Sequence, residues 1–97
     1  MNPNTHPVPL FTLGTVCATP GALETLRACN ASFTDLVARH VTGDWGDLSE
    51  EDAARNLVAL EQGSRLLSVY SLDEQNTIWV ITEADRSATT LLLPQDY

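Results

Sequence analysis

From residue 20 onward the spacing of apolar residues changes once, at Gly63, and that change constrains the fold more than any other feature. Before it, apolar residues recur every three or four positions. Phe33, Leu36, Val37, His40 and Val41 stand at i, i+3, i+4, i+7 and i+8, the pattern of one helical face. After it, RLLSVYSL (65–72), TIWVIT (77–82) and ATTLLL (88–93) alternate with a period of two, parted by polar turns at 73–76 and 83–87. Successive strands with short turns make an antiparallel meander, and its apolar face needs a cover. The helical half of the chain supplies one. The expected class is α+β.

Local chemistry bounds the helices. Thr19 caps the first and Pro20 fits its first position; Leu23 and Leu26 lie on its apolar side, and it runs to about Cys29. Ser32–Asp35 is a capping box with Asp in place of Glu, and Gly43 ends the second helix. Ser49–Asp52 opens the third and Gly63 closes it; Ala53, Leu57, Leu60 and Val58 are expected to face the core. Upstream, Leu10–Thr19 reads as a strand able to join the sheet at an edge. The order is β-α-α-α-β-β-β: three short helices on a three- to four-stranded antiparallel meander. Residues 1–9, with Pro3, Pro7 and Pro9, read as an extended lead-in. Residues 10–97 read as a single domain, because a chain of 97 residues has no room for two cores.

Thirteen acidic residues against five arginines, with no lysine, give a net charge of −8. Broad contact with nucleic-acid backbone needs clustered positive charge, so direct DNA binding is not expected, whereas a basic protein partner is. No apolar run approaches the roughly 20 residues that span a bilayer. The proline-rich start lacks the basic and apolar regions of a signal peptide. The chain reads as bacterial in style and cytoplasmic. Cys17 and Cys29 read as buried or half-buried free thiols, since stapled domains usually carry more cysteines and a free Cys acts as a small hydrophobe. There is no CxxC pair, Gly-rich phosphate loop or nucleophile elbow, so neither cofactor nor metal is expected.

The densest cluster is HVTGDWGDLSEED (40–52). Its carboxylates Asp44, Asp47, Glu50, Glu51 and Asp52 lack the ligand spacing of a calcium loop. Glu50, Glu51 and Asp52 stand where a helix start favours negative charge. Trp45, bracketed by Gly43 and Gly46, reads as a plug between helices or as an exposed contact anchor. His40 reads as a packed histidine or as a general base, and its place at a helix C-terminus favours the protonated ring. A second constellation, ITEADRSATT (81–90), reads as a polar hairpin turn with a solvent-facing threonine ladder. Its sharper reading is an oxyanion site: Arg86 clamps a phosphate, Ser87 and Thr89 assist, and His40 moves the proton. That is the outline of a metal-independent ribonuclease of barnase- or RelE-like α+β fold. The acidic net charge opposes it.

RHVTGDWGDLSEED (39–52), GSRLLSVY (63–70) and WVITEADRSATTLLLPQDY (79–97) resemble a family of small proteins found on bacterial plasmids and integrative elements, often labelled plasmid-related protein. That family has no established activity, so the resemblance implies a genomic setting and no catalytic residue. Accessory proteins of mobile elements include anti-defence inhibitors that imitate the charge of nucleic acid. The expected function is therefore non-enzymatic: an acidic accessory protein that binds and inhibits a host or rival protein with a basic nucleic-acid-binding surface. The expected contacts are Asp44, Trp45, Asp47, Glu50 and Glu51. A ribonuclease-like toxin using His40, Arg86, Ser87 and Thr89 is the alternative. A homodimer through an exposed strand edge is compatible with both.

Overall fold

The computed structural model describes residues 8–97; most of the expected lead-in lies outside the described residues. The elements follow the expected order. They are β1 (Thr15–Ala18), α1 (Pro20–Ala28), α2 (Phe33–Val41), α3 (Glu50–Gln62), β2 (Leu66–Ser71), β3 (Thr77–Thr82) and β4 (Ala88–Leu92), then a 3-10 turn over Pro94–Asp96. The fold is α+β. Each helix starts at its cap: the hydroxyls of Thr19, Ser32 and Ser49 accept from the N–H groups of Ala22, Asp35 and Asp52. Gly63 ends α3 in the left-handed conformation, φ 70°.

β2, β3 and β4 form the antiparallel meander, with Leu66 opposite Thr82 and Val80 opposite Leu91. β1 differs from the all-antiparallel expectation. It lies beside β4 and parallel to it, Thr15 opposite Ala88, so the sheet order is β1-β4-β3-β2. The path from β1 to the meander runs through three helices, a crossover long enough to return a parallel partner. β1 is also shorter than Leu10–Thr19. Gly14 takes φ 65°, and a Cβ there would stand 2.3 Å from the Ser87 carbonyl oxygen, so the extended path bends at that residue. Farther upstream the Leu10 N–H donates to the Val41 carbonyl at the end of α2. This sets Phe11 against His40 rather than along the sheet.

Alternation along the strands gives the sheet two faces. Tyr70, Ile78, Val80 and Leu91 are buried with Ala22 and Leu26 of α1 and Leu36 of α2. Trp45, Ala59 and Leu66 form a second cluster, flanked by Phe11, Leu48, Ala53 and Leu60. Burying each large apolar side chain contributes roughly 1.5–3 kcal/mol, so these two clusters hold the helices to the sheet. On the opposite face Tyr97 lies against Trp79, ring centroids 5.7 Å apart.

α3 is turned from its expected face. Ala53 and Leu60 do pack inward, but Leu57 and Val58 are 59% and 50% exposed, while Asn56 and Ala59 are buried. Asn56 explains the rotation. Its Nδ2 donates to the Leu67 carbonyl at 2.7 Å and its Oδ1 accepts from the Leu67 N–H at 3.2 Å. The side-chain amide thus stands where a neighbouring strand would, beside β2. Asn56→Ala removes both bonds. At about 1 kcal/mol per bond the expected cost is about 2 kcal/mol, read as a lower midpoint in urea.

Candidate functional site

The GDWGD segment is built against the outer edge of β2. Gly43 and Gly46 take φ 89° and 73°, which turns the chain out of α2 and along the strand. The Val69 N–H donates to the Trp45 carbonyl at 3.1 Å, and the Asp47 N–H donates to the Val69 carbonyl at 2.7 Å. The result is a one-residue parallel bridge, Gly46 with Val69. The Asp47 carboxylate accepts from the Ser71 N–H at 2.9 Å. With Asn56 on Leu67, these bonds occupy the outward groups of Leu67 and Val69 and the N–H of Ser71.

Asp44 is engaged as well. Arg39 donates to its two oxygens at 2.7 and 3.3 Å, stacks over the Tyr70 ring at 4.4 Å, and so clamps the turn to the sheet. The Tyr70 hydroxyl donates to the Asp44 carbonyl at 2.6 Å. The Arg39 hydrogen bond holds the Asp44 carboxyl below its ordinary range, and the Ser71 N–H does the same for Asp47. Trp45 is a plug. It is 8% exposed, edge-on to His40 at 5.8 Å and stacked along Phe11 at 6.4 Å. Its ring surface is used inside the protein, which removes Trp45 from the expected contact residues.

Behind this plug lies a buried polar chain. His40 is 0% exposed; its Nδ1 is 2.6 Å from Ser68 Oγ and its Nε2 2.9 Å from Thr82 Oγ1. Thr82 Oγ1 is 2.7 Å from Thr89 Oγ1, and the Thr89 hydroxyl donates to the Leu13 carbonyl at 2.8 Å. That last bond orients all the others. A carbonyl only accepts, so Thr89 spends its proton on Leu13. Thr82 must then donate to Thr89, and His40 Nε2–H to Thr82. Burial pushes the His40 pKa down to about 4, so the ring is neutral at pH 7 and Nδ1 accepts from Ser68. The protonated ring expected from the helix C-terminus is overturned. Desolvation outweighs the helix end, and Asp44 and Asp47 are engaged elsewhere.

Arg86 also turns inward. Its Nη1 donates to the carbonyls of Ser64, Glu83 and Ala84 at 2.7, 3.0 and 3.2 Å, and its Nη2 to the Ala59 carbonyl at 3.2 Å. It ties the end of α3 to the β3–β4 turn and lies over Phe11. Ser87 is exposed in that turn, and Thr89 is fully buried. The structure thus links His40 and Thr89, but inside the core. An RNA phosphate has no approach to either, and the donors meant to clamp it face carbonyls. The ribonuclease-like arrangement of His40, Arg86, Ser87 and Thr89 is not assembled.

Glu50 and Glu51 remain exposed. Glu51 and Asp52 lie 3.7 and 3.3 Å from Arg55, surface pairs of small energetic weight. Glu50, Ala54, Leu57, Val58 and Glu61 are all exposed and recur at helical spacing, so the outer side of α3 is an apolar strip between carboxylates. The sequence leaves this strip, Asn56 and Ser68 unmarked, and Thr82 and Thr89, expected on a solvent-facing ladder, are fully buried because their strand phase turns them toward α2 and His40. A signal for Ser68 and Thr82 was present: Ser68 shares its strand phase with Leu66 and Tyr70, and Thr82 shares its phase with Ile78 and Val80. Inward hydroxyls opposite a helix that carries an inward histidine are hydrogen-bond partners in waiting.

Among the described residues, no group of three or more His, Cys, Asp or Glu side chains is placed to hold a metal ion, and no helix is long and apolar enough to cross a membrane. No protein-family model matches this chain, and comparisons with curated proteins and with solved structures gave no significant match.

Proposed function

We propose that this chain is a non-enzymatic binding protein, an acidic accessory protein of a mobile element that docks on and inhibits a protein with a basic nucleic-acid-binding surface. The mobile-element setting rests on the resemblance in the GDWGDL, RLLSVY and ITEADRS segments. The docking rests on one observation, the outer side of α3. Leu57 and Val58 stand exposed side by side on α3, with Glu50 and Glu51 about two turns before them and Glu61 about one turn after. An apolar centre inside a charged rim has the anatomy of an interface.

The charge distribution supports the same reading. Arg39 is spent on Asp44, Arg55 on Glu51 and Asp52, and Arg86 on carbonyls. These arginines serve the chain's own groups, so the exterior keeps the acidic excess. Carboxylates steer a basic partner to the surface, and apolar burial then slows its release. The proposed contacts are Glu50, Glu51, Leu57, Val58 and Glu61 in place of Asp44, Trp45 and Asp47.

The test is capture from RNase-treated bacterial lysate with a tagged chain, then affinity for the captured protein. Leu57→Ser with Val58→Ser should weaken binding at least about tenfold, since burying each side chain contributes roughly 1.5–3 kcal/mol. Glu50→Gln with Glu51→Gln should flatten the salt dependence. All four positions are exposed, so the fold should persist, with a loss of at most about 1 kcal/mol for each charge removed from the first turn of α3. Unchanged affinity and salt slope in both variants would remove this face from the function.

A further inference from the structure

The two edges of the sheet are finished differently. The outer edge of β2 is occupied by Asn56, Gly46 and Asp47. Among the described residues nothing pairs with the outer edge of β1. The N–H groups of Thr15 and Thr19 donate to the carbonyls of Ser87 and Leu91 on the β4 side. By the strand period of two, residues 15, 17 and 19 face β4, and Val16 and Ala18 turn their N–H and C=O outward. β1 reads TVCA, with no charge, proline or bulge, the devices that usually protect an edge. From Pro7 to Leu23 there is no charged residue at all, in a chain of net charge −8.

We infer that β1 pairs antiparallel with β1 of a second copy of this chain, about a two-fold axis at Cys17, joining two four-stranded sheets into one of eight. Hydrogen bonding selects the register. Val16 exchanges both bonds with Ala18 of the partner subunit, and Ala18 does so with Val16 of the partner subunit, so every outward group of both strands is used. Setting Val16 against its own mate would pair Ala18 with Gly14, whose φ of 65° takes it off the extended path. Setting Ala18 against its own mate would pair Val16 with Pro20, which has no N–H and begins α1. Charge permits the approach: two acidic chains meet along their uncharged segment, with no like charges opposed across the strands. Closure limits it: the β2 edge is occupied, so each copy offers one edge and the assembly stops at two. A four-residue strand buries little area, so the dimer forms in a concentration-dependent manner.

This register sets Cys17 directly opposite Cys17 of the partner subunit at a non-hydrogen-bonded position. Cα atoms there lie about 4.5 Å apart, within the span of a disulfide. Cys17 is exposed rather than buried or half-buried as expected, because it stands on the face of the edge strand that no helix covers, and this leaves it open to trapping. Diamide takes two protons and two electrons from a thiol pair and leaves a disulfide. The Cys29→Ser chain treated with diamide should run as a covalent dimer on a non-reducing gel, and the Cys17→Ser chain should not. Moving the thiol, Thr15→Cys in a chain with both native cysteines replaced by Ser, should abolish trapping, because that residue lies about 13 Å along the strand from its own mate. Val16→Pro removes an N–H that the single-chain sheet does not use, so it should keep the circular dichroism of the fold and lose the dimer in sedimentation. Absence of a Cys17 cross-link at concentrations up to the solubility limit, equal trapping through Cys29, or trapping at Thr15→Cys would each overturn the proposal. Should Val16→Pro unfold, the thiol shift still decides.

Discussion

Gly46→Ala is expected to cost more than about 3 kcal/mol, a large share of the roughly 5–15 kcal/mol that holds a domain folded. A Cβ at Gly46 would stand 2.0 Å from the Val69 carbonyl oxygen and 2.6 Å from a Tyr70 ring carbon. The left-handed φ of 73° adds about 1–2 kcal/mol for any residue with a Cβ. The overlap is with backbone, so no rotation of a side chain relieves it. Residues 45–47 must lift from β2, which breaks the bonds between Val69 and its partners Trp45 and Asp47 and uncovers the plug over His40. Gly63 supplies the control. Its φ is 70°, but a Cβ there meets nothing within 4 Å, so Gly63→Ala should cost only the conformational part. Urea unfolding of the two variants separates the terms. Equal losses at the two glycines would mean that the 45–47 segment does not hold the edge.

The second large effect is expected in mild acid. Above pH 6.5 the His40 ring is neutral in both the folded and the unfolded chain and stability does not depend on it. Between 6.5 and about 4 the unfolded chain takes up a proton that the buried ring refuses. Each pH unit in that window costs about 1.4 kcal/mol, so the total is about 3 kcal/mol. Below about 4 the folded ring is protonated too and the slope ends. Asp44, Asp47, Asp73 and Asp85 are all held below their ordinary 3.8 by hydrogen bonds. Their loss comes as pH falls through those lower values, so the window from 6.5 to 4 belongs to His40. Urea midpoints at pH 7, 5.5 and 4.5 should therefore fall steadily. His40→Leu should be less stable throughout, because Ser68 and Thr82 lose a partner, yet flat across the same window. The same slope in His40→Leu would assign the acid sensitivity to another group.

Both effects involve residues that the sequence made visible but could not explain. The 40–52 cluster was legible as a cluster, because glycines, carboxylates, a tryptophan and a histidine crowd into thirteen positions. Its role was not, because the partners of Asp47 and His40 lie 24 to 42 residues further on. His40 shows the conflict most plainly. The local signal, a helix C-terminus, favours charge. The distant one, burial among Phe11, Trp45, Ser68 and Thr82, forbids it and is the stronger. Asn56 shows the same at a shorter range. The apolar spacing of α3 allows a stripe through Leu57, but the amide bonds to Leu67, eleven residues on, select a face through Asn56 and Ala59. Arg86 had the chemistry of an anion clamp, but from a left-handed backbone, φ 62°, it donates to the carbonyls of Ala59 and Ser64 at the end of α3 and of Glu83 and Ala84 in its own turn.

The sequence by itself determined the order of the elements, their caps and the α+β class. Those features rest on bonds and periodicities that span two to four residues, and Thr19, Ser32, Ser49 and Gly63 act within that range. Only the tertiary structure decided what the polar groups are for: which strand edge is closed and which is open, which carboxylates are consumed and which reach solvent, and whether His40 carries charge. A hydrogen-bonding side chain has no fixed role until its partner arrives, and in this chain the deciding partners arrive from the other end of the fold.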